Sequence, residues 1–347
     1  MLQNNLLYRL AIFACCLAAV VVMLGAWTRL VDAGLGCPDW PGCYGFFVVP
    51  ESEADIALAQ ARYPDSPVEV AKGWPEMIHR YFASTLGLVI LVISAIAFKQ
   101  KQKQKQNKQG IQEIVPLKHC LGLLVLVICQ GLFGMWTVTL KLWPQVVSVH
   151  LLGGFATLCL LFLLALRTGF RERLLDPISQ ASKERLKQLS LFCLIVVVGQ
   201  VFLGAWTASN YAALACGSEF PGCQSSLWPE MNFSGGFDFL QTVGPNYLGG
   251  LFDNESRVAI HYLHRIGALI VTLLLVIFLV MAHRHLSHKL LKWSIGFVAS
   301  TLAIQILLGI SNVVWLVPLP VAVAHNAVGA LLLISLVNFK YQLRRIE

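Results

Sequence analysis

Charge is what this 347-residue chain has least of. Lys, Arg, Asp and Glu together make up 13% of it, hydrophobic residues 57%, and the mean hydropathy is +0.68. Soluble globular domains carry about 25% charged residues, so a water-soluble enzyme is excluded. The net charge of +8 invites a nucleic-acid reading, but the basic residues are too scattered and too close to apolar runs for one. Uncharged apolar stretches recur at Leu10–Trp27, Tyr81–Phe98, Cys120–Leu140, Leu142–Leu166, Leu189–Ala208, Ile266–Ala282, Trp293–Val317 and Val321–Phe339. With its flanks, each is long enough to cross about 30 Å of hydrocarbon. The expectation is an all-α membrane protein of eight transmembrane helices.

The few charges are segregated. Lys99 to Lys118, Arg167 to Lys187, Arg284 to Lys292 and Lys340 to Arg345 place basic residues after the second, fourth, sixth and eighth apolar runs. Asp32 to Glu69 and Glu219 to Asp253 make the intervening loops acidic. The positive-inside rule then puts both termini in the cytoplasm. The Lys-Gln run from Lys99 to Lys108 reads as a solvated low-complexity loop.

The chain is two copies of one unit. Gly25-Ala26-Trp27-Thr28 returns as Gly204-Ala205-Trp206-Thr207, Cys37 and Cys43 as Cys216 and Cys223, and His79-Arg80 as His264-Arg265. Gln130 to Gly134 returns as Gln305 to Gly309, and His150 as His325. Each short match is weak, but five in one order are a repeat. Four helices per copy is an even number, so both copies enter the membrane in the same direction. This predicts two pseudo-symmetric four-helix bundles, residues 1–175 and 176–347, with the boundary in the charged loop around Arg171 to Lys187.

Four histidines follow the repeat. His79 and His150, and His264 and His325, fall near the starts of parallel helices. An ionisable side chain in a bilayer is costly without a partner and marks a functional site by default. One such histidine is as readily a hydrogen-bonded structural residue; two pairs at matched depth point to imidazoles gripping a planar metal cofactor, haem above all. Arg80 and Arg265 are placed to pair with propionate carboxylates. His119, His283, His285 and His288 lie at the inner boundary and are expected to be solvated. Glu76 lies one turn before His79, after Trp74-Pro75, where a helix start is expected. The aligned residue in the second copy is His261. The asymmetry suggests that one bundle performs chemistry and the other holds a redox cofactor.

Six cysteines lie in apolar runs. Cys37 and Cys43, and Cys216 and Cys223, form close pairs in the outer loops, where an oxidising compartment favours a disulfide within each loop. A zinc site and a redox-active thiol relay are the alternatives, although no histidine lies nearby in those loops.

The segment Glu76-Met77-Ile78-His79-Arg80, the two cysteine pairs, the repeated units and His150, His264 and His325 together resemble the haem A synthase family. So does Gly25 to Leu30 followed by Gly34-Leu35-Gly36-Cys37. The resemblance covers nearly the whole chain. It implies oxidation of a methyl group of haem O to a formyl group, giving haem A for cytochrome oxidase assembly. It implies haem B as cofactor on His264 and His325, substrate haem on His79 and His150, and Glu76 in catalysis. Haem O synthase (a farnesyltransferase) and an unidentified electron donor or acceptor are the implied partners, and a bacterial inner membrane, with sites toward the periplasm, is the implied location. A two-haem membrane cytochrome exchanging electrons with quinone is the rival, and a transporter built of duplicated helical units a more distant one.

Overall fold

The computed structural model describes residues 5–106, 115–169 and 174–346. Among these are ten helices: α1 Asn5–Leu30, α2 Glu53–Arg62, α3 Val70–Gln106, α4 Leu117–Thr139, α5 Pro144–Thr168, α6 Gln180–Ser209, α7 Phe233–Gly236, α8 Asn254–His285, α9 Lys289–Val314 and α10 Leu319–Leu343. All but α2 and α7 are long and apolar enough to cross a membrane. Large apolar side chains such as Leu88, Val125, Leu269 and Leu307 face outward, as suits a hydrocarbon surround. The chain is a multi-pass membrane protein.

Local signals set many helix ends. Asp253 caps α8 by accepting from the Ser256 amide at 2.7 Å, and its hydrogen bonds with the Ser256 side chain and amide hold its carboxyl below the usual carboxylate range. Pro144 occupies the first turn of α5, where its missing N–H costs nothing. The turns after α4 and α9 share one device. Lys141 and Leu142, and Leu316 and Val317, are non-glycine residues at φ 48, 63, 55 and 58°. A left-handed residue with a side chain costs about 1–2 kcal/mol, so four of them at equivalent positions mark a turn that both copies of the unit must make.

The helices run further than the apolar stretches. The helix expected after Pro75 begins at Val70, with Pro75 inside it; the Pro75 carbonyl accepts from Thr28 Oγ1 at 3.1 Å. The Lys-Gln run is helical up to Gln106 rather than a loop, because Lys and Gln are good helix formers and no Gly or Pro interrupts them. The boundary segment expected to be a loop is already α6 from Gln180 onward. Lys108, Arg171 and Arg173 lie outside the described residues. His119 is not simply solvated: it is partly buried, with Nδ1 3.3 Å from Arg167 Nη1. His283 and His285 are exposed, and His288 caps α9.

Helix α1 packs on α3 and α5, and α4 lies between α3 and α5. In the second copy α6 packs on α8 and α10, and α9 touches both of those. Between the copies, α1 meets α10, and α5 meets α6 and α10. One apolar core runs through both, with Phe278 edge-on to Phe339 at 4.8 Å. At the outer ends, Arg29 of α1 donates to the Ala208 carbonyl at 2.7 Å and lies 4.0 Å over the Tyr211 ring.

Candidate functional site

All four repeated histidines lie inside long helices, with half-buried rings. Each ring faces a glycine on a neighbouring helix. A Cβ added at Gly25 of α1 would stand 3.0 Å from His79 Cε1, and one at Gly204 of α6 would stand 3.1 Å from His264 Cε1. The same holds at 3.5 Å for Gly134 of α4 against His150, and at 3.2 Å for Gly309 of α9 against His325. A side chain at Gly25, Gly204 or Gly309 would press on an imidazole, and one at Gly134 would touch it, so these glycines are notches that seat the rings. They stood in the repeated motifs without a role; their recurrence three residues before a repeated Thr or four after a repeated Gln was the available signal.

Within each copy the two histidines lie near each other. His79 and His150 are close enough to interact electrostatically, as are His264 and His325. Nδ1 of His79, His150 and His325 is buried with no hydrogen-bond partner. Two neighbouring imidazoles, with at least one unmet ring nitrogen in each pair, are a donor set that fits haem iron. The residues present therefore fit the group.

Glu76 is buried, at 5% exposure. It pairs with Arg80 on the next turn of α3 and accepts from the Cys37 amide at 3.0 Å. It therefore joins the helix that carries His79 to the outer loop. His261, at the matching place on α8, is equally buried at 4% exposure. It has no ion pair; its Nδ1 is unmet, and it lies near His264 and Arg265.

The two arginines serve the loops. Arg80 donates to the Gly42 carbonyl and, at 3.3 Å, to that of Pro41. Arg265 donates to the carbonyls of Gly222 at 2.7 Å and Glu219 at 2.6 Å. Both thus grip the Pro-Gly-Cys turns, a role that sequence reasoning missed because it depends on how the loop folds back. Arg265 Nε remains buried and unmet.

Cys37 is bonded to Cys43 and Cys216 to Cys223. The zinc alternative fails, since these sulfurs bond each other. Digestion without reduction should release each pair as one cross-linked species by mass spectrometry. Recovery of the four as free thiols would contradict this.

The comparisons with known proteins agree with this geometry. The chain is 43% identical over 322 residues to a heme A synthase of Shewanella oneidensis, covering 93% of this chain and 92% of that protein. It is 28% identical over 333 residues to a heme A synthase of Methylobacterium radiotolerans, covering 90% and 83%. Against a heme A synthase of Cereibacter sphaeroides it is 28% identical over 356 residues, covering 94% and 84%. A family model described as cytochrome oxidase assembly protein (COX15-CtaA) matches residues 8–337, a stretch that holds all four histidines, Glu76 and both disulfides. With the match running almost end to end, the chain belongs to the COX15-CtaA family of cytochrome oxidase assembly proteins.

Proposed function

We propose that this chain is a haem A synthase: an oxidoreductase that converts a methyl group of haem O into the formyl group of haem A. Its likeness to the Shewanella oneidensis protein over nearly the full length of both chains carries this reading. The two seated histidine pairs supply the sites that such a reaction needs.

Residues 1–175 form the substrate bundle and residues 176–347 the cofactor bundle, related by an axis along the membrane normal. Both termini face the cytoplasm of a bacterial inner membrane, and the disulfide loops and sites face the periplasm. Segregated loop charge and helix packing that repeats from one copy to the other support this arrangement.

His264 and His325 hold haem B, and His79 and His150 hold haem O. Haem B, when bound, supplies one-electron redox chemistry that no side chain has. The chain's own residues do the rest. The glycine notches fix the imidazoles, and the packed helices keep bulk water from the reacting edge. Glu76 takes up a proton released at the methyl group, as a positioned general base. Arg80 and the Cys37 amide fix its carboxylate. A propionate contact of Arg265 would use Nε or the second N–H of Nη2, since Nη1 and the first N–H of Nη2 hold the loop. Haem O synthase supplies the substrate, a single water admitted to the site supplies the formyl oxygen, and an electron acceptor takes the four electrons that leave, with four protons, as the methyl group becomes a formyl group.

Pigment extraction tests the function. Membranes expressing this chain with haem O synthase should yield haem A by reversed-phase chromatography, beside haem B. Haem B alone, with haem O left unconverted, would overturn the proposal.

A further inference from the structure

Three of the four histidines have a glutamine behind the glycine notch, and the fourth does not. Gln130, Gln200 and Gln305 each lie four residues before the notch glycine of their own helix, Gly134, Gly204 and Gly309. Four residues is one helical turn, so glutamine and glycine share a face. On α1 the residue four before Gly25 is Val21, whose side chain offers no hydrogen bond; only its backbone carbonyl comes near the His79 ring.

Each glutamine head enters a second notch, on the histidine helix. Gly153 follows His150 by three residues, Gly267 follows His264 by three, and Gly329 follows His325 by four. A Cβ at Gly153 or Gly267 would overlap the Gln130 or Gln200 amide, and one at Gly329 would stand 3.3 Å from Gln305 Nε2. Three residues after His79 stands Phe82. The His79 position thus lacks both the glutamine and the glycine that would receive it.

In the second copy the amides reach the rings. Gln200 Nε2 lies 3.0 Å from His264 Nδ1 and donates to the His264 carbonyl at 2.8 Å. Gln305 Nε2 lies 3.3 Å from His325 Nε2. Oε1 of both glutamines is buried with no partner. Half a turn of an amide exchanges its donor and acceptor, at the expense, for Gln200, of its bond to the His264 carbonyl. An imidazole that gives one nitrogen to iron then has its other N–H beside an oxygen that lacks a donor. Such a partner orients the ring and raises its basicity, and losing it costs about 10–100-fold in metal affinity.

We infer that Gln200 and Gln305 are positioning residues that make the His264–His325 site retentive, and that Val21 and Phe82 make the His79–His150 site exchangeable. The inference rests on the haem-ligand reading above. It accounts for how two near-identical sites divide their labour. A resident cofactor needs both imidazoles backed by side chains, as His264 and His325 are, whereas a site that must take in substrate and release product is served better by rings without such a bond, as His79 and His150 are.

Haem transfer to excess apomyoglobin, followed optically, reads this out. Purified protein with haem in both sites should lose it in two phases. Gln200→Leu should speed the slow phase by about 10–100-fold and shift the midpoint potential of that haem. Gln200→Glu keeps an acceptor oxygen and should restore slow loss. The paired change Val21→Gln/Phe82→Gly should slow the fast phase. A Gln200→Leu protein that melts at a lower temperature yet keeps its slow phase and potential overturns the inference, because the glutamine then only packs helices. If Gln200→Leu does not fold, the paired variant decides, and an unchanged fast phase overturns it. Wild-type protein that binds no haem would remove the ligand reading itself, and the inference with it.

Discussion

Replacing His264 or His325 with Ala is expected to abolish the haem B absorption of the purified protein, while His150→Ala leaves it in place. Each imidazole supplies one bond to iron, and its removal empties a glycine notch that nothing else can fill. Gly204 and Gly309 have no side chain to move in, and the next histidine along, His261, stands a turn away on α8. The loss should exceed the ~10–100-fold that the removal of an outer hydrogen-bond partner costs, because a ligand itself is gone. Optical spectra of the three variants, each at matched protein concentration, make the comparison. A normal low-spin haem spectrum in both the His264 and the His325 variant would refute the assignment.

The second large effect is expected at Glu76. As a general base it should contribute about 10²–10⁴-fold to the conversion of haem O. Its surroundings complicate a simple deletion. Glu76→Ala leaves Arg80 without its carboxylate and the Cys37 amide without its acceptor, and breaking a buried ion pair costs about 3–5 kcal/mol. That far exceeds the ~0.3–1 kcal/mol for a carboxylate at a helix start. Glu76→Gln is the cleaner variant, since its amide oxygen still accepts from Cys37 while the proton-accepting charge is lost. Haem A formation should fall by about 10²–10⁴-fold in Glu76→Gln, with the haem on His264 and His325 spectrally intact and the melting temperature above that of Glu76→Ala. Wild-type turnover in that variant would show that the carboxylate serves only to hold the outer loop.

These experiments differ in how far they could be framed without the fold. The histidine tests follow from residue order alone, because a repeat of His79-Arg80 and His150 at His264-Arg265 and His325 survives any detail of packing. The Glu76 test does not. Spacing along α3 places Glu76 beside His79, but nothing local says that its second partner is the Cys37 amide, 39 residues away. Arg80 and Arg265 teach the same lesson. A cation one residue beyond a ligand reads as a propionate partner, yet the Pro-Gly-Cys turns fold back and present carbonyls to it first.

The sequence by itself determined the membrane class, the eight spans, the twofold repeat and the four histidines. Hydropathy and internal repetition are properties of the chain taken in order, and a bilayer accepts little else. Helix extent was less legible, since the outer turns of α3 and α8 are polar and are held by loops rather than by lipid. Only the tertiary structure decided which glycine seats which ring, and that Gln200 and Gln305 stand behind two of them while Val21 stands near His79. Those contacts join residues on different helices. They are set by how close two backbones approach and by which side chains the approach leaves room for, and neither is written into the spacing along one helix.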